Sequence, residues 1–524
     1  MSERPERPLI LFSRYEKAEK ARRYGGASSF HRPTHKQQVN RLTPQFSVLQ
    51  SALEQGRITI QKSSGNVEPE YTLVLEVAGN PQDFDKAVRN LQNECGGVEW
   101  LFELVDNEGT NDADFFRMDK DGSIDNSKQM TFKYFCVLTN QQALSEILSL
   151  WNHFQKDPKY KFPTGMTGFR NVFQTLKDIH LWGVSERLEE TGILEAWEYD
   201  LQDPDLPMVN CEIELFYRKS EQKRKESLTQ VKNIIESVGG KVITNSCISE
   251  IEYLAILASI PRQYAEIILK SRNVALVQLE QIMFFKPTGQ TIVTYADENI
   301  NYQNNICIPA NISEEPVIAL FDGLPQENHP LLSDMIIIDD PDDITSSYQV
   351  KNRVHGTSMA SLILHGNLDN YEKTVIRKIY VRPIMKPYVT GNEKAQEFIP
   401  NDVLIVDKIH IAVRRLFEDE AGKVAPSIRI INLSIGLGDR LFYNMISPLA
   451  KLLDWLSYKY RILFIVSAGN HPQPIDLGMT FNEFKALTEP EKNTKVIQLM
   501  DKDSRQLRLL SPVDCQVKLT HFFI

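Results

Sequence analysis

A histidine set among small residues is the first feature of this sequence that could do chemistry. Residues 354–361 read VHGTSMAS, and an imidazole such as that of His355 can take a proton from a hydroxyl near neutral pH. Such a histidine needs a carboxylate that fixes the tautomer of its ring. The candidate is Asp322, which directly follows the apolar strand PVIALF at 316–321, since open α/β sheets place their active sites at the carboxyl ends of their strands. The pair predicts half of a nucleophilic site.

Two more apolar strands further along the chain end in polar or small residues. The first is IRIINLSIGLG at 428–438, and the second is RILFIVSAGNH at 461–471. A side-chain amide held at a strand end beside glycine, as Asn470 would be, is suited to donate a hydrogen bond to a developing oxyanion. Taken alone, each stretch is also compatible with an ordinary turn.

In this order, the stretches ALFDG, HGTSMAS, NLSIG and VSAGN resemble the motifs of the subtilisin-like serine peptidases, or subtilases. The resemblance covers roughly residues 310–514 and implies a parallel sheet with helices on both faces. It implies that Asp322 orients the histidine, that His355 is the general base and that Asn470 is the oxyanion donor. An extended protein or peptide substrate would pair with the backbone of a further three residues, Ser434, Ile435 and Gly436.

We do not expect Ser358 to supply the nucleophile of this reaction. In the family, the serine motif lies downstream of the oxyanion asparagine, whereas Ser358 precedes Asn470 and shares a helix with its base. Neither Ser504 nor Ser511 has the small neighbours that a nucleophile at a helix start needs. We therefore expect the peptidase region to break off before its nucleophile motif, as a truncated, frameshifted or split product that is inactive alone.

The main alternative is a pseudo-protease that holds extended peptides along the NLSIG edge and cuts nothing. A third reading is an α/β fold whose motifs are coincidental. The stretches HGTSMASLILHG, NLSIG, LLDWL and VSAGN, with the long region before them, are also similar to large intracellular bacterial subtilases encoded beside an AAA-type ATPase and associated with phage defence. That similarity implies an ATPase partner and a role in defence.

Composition limits the remaining function classes. The chain has 524 residues, 42% of them hydrophobic and 24% charged, with a formal net charge of -10, which argues against a nucleic-acid or membrane-surface role. The apolar run at residues 9–12 is too short for a secretory signal, and six scattered cysteines without a CxxC pair fit a reducing compartment. We expect a cytoplasmic protein with two to four domains.

The strand and helix patterns predict three regions. Residues 1–205 are expected to form an α+β region, and the resemblance implies a C-terminally truncated subtilisin-like peptidase domain at residues 310–524. Between them, residues 206–290 show strand and helix periodicities in the order β-α-β-β-α-β, typical of a ferredoxin-like domain. A domain of this kind in this position resembles the prodomain of the subtilases.

Three segments raise the question of a metal, and we expect no cofactor. In HRPTH at 31–35 a proline separates the histidines, and in RMDKDGSIDN at 117–126 cations occupy the ends of a would-be calcium loop. The acidic run DDPDD at 339–343 leaves structural calcium open, although a solvated loop is favoured. No phosphate-binding glycine loop occurs, so ATP hydrolysis by this chain itself is not expected.

Overall fold

The computed structural model describes residues between 30 and 511 of the 524-residue chain, which divides into two compact units. The first unit comprises Met1–Pro69 and Leu73–His180, and the second comprises Glu70–Thr72 and Leu181–Ile524. Within the span, residues outside the description are 63–69, 82, 110, 112, 120, 129, 190, 273, 290–310, 369–370, 372, 389–395, 419–421, 436, 442–445, 468–477, 480, 489–490, 493 and 496–509.

The first unit contains a four-stranded sheet in the order β3-β5-β2-β6. Its main elements follow the order β-α-β-β-α-β, so this unit has the same ferredoxin-like succession that the sequence predicts only for the next region. The elements are β1 (Phe30–His31), α1 (His35–Lys62), β2 (Glu70–Ala78), α2 (Phe84–Cys95), β3 (Val98–Gly109), β4 (Phe116–Arg117), β5 (Met130–Asn140), α3 (Gln141–Lys156), α4 (Thr167–Thr175) and β6 (Leu176–Leu181).

The second unit begins with the ferredoxin-like region. Its elements from residue 208 to residue 286 follow one another in the predicted β-α-β-β-α-β succession. The four strands form a sheet in the order β10-β7-β9-β8, in which each neighbouring pair is antiparallel. The elements are α5 (Val184–Leu188), α6 (Ile193–Asp200), β7 (Met208–Leu215), α7 (Glu221–Ser237), β8 (Lys241–Ile248), β9 (Tyr253–Pro261), α8 (Arg262–Ser271) and β10 (Ile282–Lys286). Gly192 adopts a left-handed φ of 76° directly before α6 and separates that helix from α5.

A parallel five-stranded sheet follows, in the order β12-β13-β11-β16-β18. Strands β12 and β13 lie on one side of β11, and β16 and β18, which come later in the chain, lie on the other side. The strand order therefore reverses at β11. The remaining elements are β11 (Ile318–Asp322), β12 (Ile336–Ile338), α9 (His355–His365), β13 (Ile379–Pro383), β14 (Lys386–Tyr388), β15 (Gln396–Phe398), α10 (Ile405–Glu418), β16 (Ile430–Leu433), β17 (Leu437–Leu441), α11 (Pro448–Tyr460), β18 (Leu463–Val466), α12 (Phe481–Ala486) and β19 (Leu510–Ser511).

Helices cover both faces of the parallel sheet. Ala319 and Phe321 of β11 belong to the hydrophobic cluster that contains α10 and α11, whereas Leu320 belongs to the cluster formed with α9. The alternation follows from the period of two along a strand, and the continuous apolar run of β11 is what a strand buried on both faces requires. The expectation of a mixed α/β fold with a parallel sheet is confirmed.

The acidic run at 339–343 belongs to an ion-pair cluster. Asp339 receives two hydrogen bonds from Arg415 of α10, at 2.8 and 3.0 Å, and Asp342 lies 2.5 Å from Arg382 of β13 and 2.7 Å from Lys408. The prediction of a solvated loop is therefore wrong for Asp339, whose side chain is only 15% exposed, whereas Asp342 stays exposed at 39%. Their negative charges are opposed by cations, which leaves little reason for a calcium ion to bind there.

Within the described ranges, no helix combines the length and apolar character that crossing a membrane demands.

Candidate active site

The structure brings Asp322 and His355 into direct contact. Asp322 is the last residue of β11, and His355 is the first residue of α9. Oδ1 of Asp322 accepts a 2.6 Å hydrogen bond from the backbone N–H of Gly323 and makes a short hydrogen bond with Nδ1 of His355. The aspartate side chain is fully buried, while 19% of the histidine side chain is exposed. With Nδ1 engaged by the carboxylate, Nε2 is the ring nitrogen that would accept a proton.

Two glycines permit the close approach of helix and strand that this contact needs. A β-carbon at Gly356 would overlap the backbone carbonyl of Gly323, and one at Gly323 would overlap a carboxylate oxygen of Glu397. A side chain at position 356 would push α9 away from the end of β11, whereas one at position 323 would displace the carboxylate of Glu397. The glycine of HGTSMAS is thus explained by packing against the aspartate's neighbour.

The threonine of the same motif ties the helix to the loop after β11. Oγ1 of Thr357 accepts a 2.9 Å hydrogen bond from the backbone N–H of Gln326 and donates to the carbonyl of Arg353. The Gln326 side chain donates to the carbonyl of Val350 at 3.2 Å. These bonds hold the segments on either side of the Asp322–His355 contact.

A second carboxylate, which no sequence motif singles out, lies at the beginning of α9. Glu397 belongs to β15, in the hairpin that β15 forms with β14. Its Oε2 accepts hydrogen bonds from the backbone N–H of Val354, at 2.8 Å, and from that of His355. Its Oε1 accepts a 3.0 Å hydrogen bond from the hydroxyl of Tyr348. No local motif surrounds Glu397, and it lies 42 residues from His355, so only the fold shows the relation.

Burial and neighbouring charges together shift the pKa values of His355 and Glu397. Burial alone would lower the pKa of His355, but the hydrogen bond and charge of Asp322, with the charge of Glu397, outweigh it and raise that pKa. Burial raises the pKa of Glu397 to about 7, opposed by the hydrogen bonds from His355 and Tyr348 and reinforced by the charge of Asp322. A raised histidine pKa is what a proton acceptor paired with a carboxylate shows.

Ser358 is positioned on the helix of the histidine, and its hydroxyl is already engaged. Its Oγ donates a 2.9 Å hydrogen bond to the carbonyl of Val354, one turn earlier in the chain. This back-bond to the helix is a common arrangement for an exposed helical serine. This engagement adds to the argument against Ser358 as the nucleophile.

The predicted substrate edge is described in part. Ser434 and Ile435 directly follow β16, and Ser434 accepts a 2.8 Å hydrogen bond from the side chain of Asn432. Ser467, which follows β18, donates a 2.9 Å hydrogen bond to the carbonyl of Ile435, so the ends of the two strands are joined. The predicted residues Gly436 and Asn470 lie outside the described residues.

The two other segments considered as metal sites, HRPTH and the turn at 117–126, have their polar side chains engaged in hydrogen bonds within the protein. Nδ1 of His31 lies 3.1 Å from the carbonyl of Asp114, and Nε2 of His35 lies 2.7 Å from the carbonyl of Phe154. Asp119 accepts hydrogen bonds from the backbone and hydroxyl of Ser123, as expected of a polar turn. In the part of the chain that the structure describes, no group of three or more potential ligands could hold a metal ion.

Comparison with known proteins adds no relative. No protein-family model matches this chain, and no curated protein is significantly similar to it in sequence. The resemblance to subtilases therefore depends on the four motifs and on the site geometry given above.

Proposed function

We propose that the parallel-sheet part of this chain is a serine-type peptidase module of the subtilisin-like class. The observation that carries the proposal is the contact between Asp322 and His355, made where β11 ends and α9 begins. This end of a parallel sheet, at the reversal of strand order, is where α/β proteins bind their ligands. A buried carboxylate on Nδ1 is the arrangement that a general-base histidine uses in acyl transfer.

In the proposed reaction, a serine hydroxyl attacks the carbonyl carbon of a peptide bond while Nε2 of His355 takes the hydroxyl proton. Asp322 stabilises the resulting imidazolium, and Asn470 donates a hydrogen bond to the oxyanion. The C–N bond then breaks, and His355 gives its proton to the leaving amine. Water, activated by the same histidine, cleaves the acyl-enzyme and regenerates the serine.

The proposed substrate is an extended polypeptide that lies along the residues after β16. The hydrogen bonds that join Asn432 to Ser434 and Ser467 to Ile435 give this edge a fixed shape. Backbone pairing to such an edge provides affinity that depends little on the sequence of the substrate. An AAA-type ATPase that unfolds or delivers the substrate is the partner that we propose, in a cytoplasmic defence role.

Fluorophosphonate labelling and cleavage of a denatured protein test the proposal. The proteins are the 524-residue chain, its His355→Ala and Ser358→Ala variants, and the chain extended through any G-T-S-x-A-x-P segment encoded downstream. We expect labelling and cleavage when that segment is present, both abolished by His355→Ala and unaffected by Ser358→Ala. Labelling that survives His355→Ala would show that His355 is not the base and would overturn the proposal.

The alternative, a peptide-binding module without catalysis, is favoured by the shaped edge at Ser434 and Ile435, which needs no nucleophile. The test of this alternative is the binding of fluorescently labelled peptides derived from a denatured protein, measured on the same set of proteins. Binding that is equal in wild type and His355→Ala, with no labelling in any of the proteins, would establish this alternative in place of the peptidase.

A further inference from the structure

Glu397 reaches the histidine helix from a separate element. Helix α9 begins without a side-chain cap of its own, since Val354 at its N-cap makes no such hydrogen bond. The carboxylate of Glu397 takes that place and accepts from the N–H groups of both Val354 and His355. Negative charge at a helix N-terminus is favourable, because the first N–H groups have no acceptors within the helix.

We propose that Glu397 is a positioning residue for the candidate active site, which fixes the His355 imidazole against Asp322 by capping the helix that begins with the histidine. The cap acts on the backbone nitrogen of the histidine itself, so movement of the carboxylate moves the ring. The inference deepens the proposed function and rests on it, since positioning matters only if His355 acts as a base.

The surroundings of Glu397 restrain its carboxylate on several sides. The hydroxyl of Tyr348 lies within hydrogen-bond distance of both Oε1 of Glu397 and, at 3.1 Å, the carbonyl of Met385, so the two acceptors share its one proton. The contact ties the hairpin to the segment before α9. The backbone of Gly323 lies against Oε1 so closely that no β-carbon would fit. A carboxylate held this way has little freedom to turn away from the helix.

The charge of Glu397 should also act on the histidine. The titratable groups that face it are Asp322 from β11, His355 from α9 and Tyr348 from the segment before α9. Its negative charge favours the protonated imidazole, as does that of Asp322. Because the pKa of Glu397 is raised to about 7, the hold on the helix weakens as the pH falls through neutrality. The cap is strongest at the pH where a neutral His355 can accept a proton.

The test is a histidine titration in the full chain by NMR with labelled imidazoles. In Glu397→Gln, which loses the charge but keeps an acceptor oxygen, we expect the pKa of His355 to fall by about one pH unit. The matched control is Glu327→Gln, which makes the same change at an exposed residue of the loop after β11 and should leave the titration unchanged. An identical His355 titration in wild type and Glu397→Gln would overturn the proposal.

A second variant separates the cap from the charge. Glu397→Asp keeps the charge but has a shorter reach, so the amides of Val354 and His355 should exchange faster with solvent. Because the imidazole is then held less firmly against Asp322, His355 should also lose part of its raised pKa. Unchanged exchange at both amides in Glu397→Asp would contradict the capping role. This measurement decides the question even if Glu397→Gln does not fold. None of these readouts requires cleavage, so a failure of the peptidase proposal is distinguishable from a failure of this one.

Discussion

Gly356 is the residue at which the histidine helix touches the strand that ends in Asp322. A β-carbon there would overlap the carbonyl of Gly323, which is backbone and cannot rotate aside as a side chain could. The glycine is also the neighbour of His355, so any displacement that relieves the overlap acts on the histidine directly. Packing and chemistry therefore depend on the same residue.

We expect Gly356→Ala to destabilise the second unit by about 1–3 kcal/mol, since the added carbon overpacks a contact without space. The displaced helix should also weaken the hydrogen bond between His355 and Asp322, so the pKa of His355 should fall. Urea unfolding followed by tryptophan fluorescence measures the apparent free energy of unfolding, and the imidazole titration measures the pKa.

Ser358→Ala is the control for this experiment. It changes a residue two positions further along the same helix, on its exposed side, and removes only a back-bond to Val354. We expect its unfolding free energy to stay within about 0.5 kcal/mol of wild type. If Gly356→Ala is as stable as this control and leaves the pKa of His355 unchanged, the close approach does not position the histidine.

Residue types and spacing were enough to predict the Asp322–His355 contact, because a strand end and a helix start in one parallel sheet must meet at the same edge. They were not enough for Glu397, which lies in a polar hairpin with no pattern of its own. Its function as a cap depends on where β15 crosses the start of α9. That position follows from tertiary packing, which a local sequence pattern does not predict.

At the scale of elements, the ion-pair cluster joins the segment after β12 to β13 and α10. Arg382 is only 1% exposed and faces Asp339 and Asp342, while Arg415 and Lys408 approach the same aspartates from α10. The hydroxyl of Tyr380 also donates to Asp339, at 2.5 Å. The cluster fixes α10 against the edge of the sheet.

The two sides of this cluster should respond differently to substitution. Asp339→Ala leaves the buried Arg382 with less compensation for its charge, and we expect a loss of about 3 kcal/mol. Arg382→Met should cost less, because Asp339 keeps Arg415 and Asp342 keeps Lys408 as partners. Urea unfolding of the two variants at neutral pH measures the difference, and an equal or reversed order would contradict the argument.

The pH dependence of the Asp339→Ala effect follows from the same contacts. Burial would raise the pKa of Asp339, but Arg415, Tyr380 and Arg382 together lower it from the ordinary value of 3.8. A carboxylate with a lowered folded-state pKa contributes stability that is complete above the unfolded-state pKa and is lost as the pH falls through the folded-state value. The stability difference between wild type and Asp339→Ala should therefore shrink below about pH 4.

Predictability differs among the elements as well. The second region was predicted in its correct order because its strands and helices alternate cleanly between periods of two and 3.6. In the first unit the same succession was missed. The prediction there was only an α+β region, although the alternating residues of β5 carry a strand pattern. The partners of Asp339 and Asp342 lie 40 to 76 residues away, so an acidic run looked like a solvated loop.

At the scale of the second unit, the ferredoxin-like sheet and the parallel sheet share a hydrophobic core. Tyr253, Ala255 and Leu257 of β9 belong to the cluster that contains α10 and α11, whereas the alternate residues of β9 pack into the core of their own sheet. Ser246 of β8 also donates a 2.6 Å hydrogen bond to Asp407 of α10. Because β9 is buried on both faces, the two regions should unfold together.

Leu257→Ala tests this cooperativity, because Leu257 is fully buried in the shared cluster. We expect a loss of about 2–5 kcal/mol, and hydrogen exchange should speed up in β11 as well as in β9. The control, Ile243→Ala, truncates a β8 side chain that is 37% exposed and should change stability by no more than about 0.5 kcal/mol. If β9 loses protection in Leu257→Ala while β11 keeps its wild-type exchange, the two regions are separate folding units. The site at Asp322 would then depend on the parallel sheet alone.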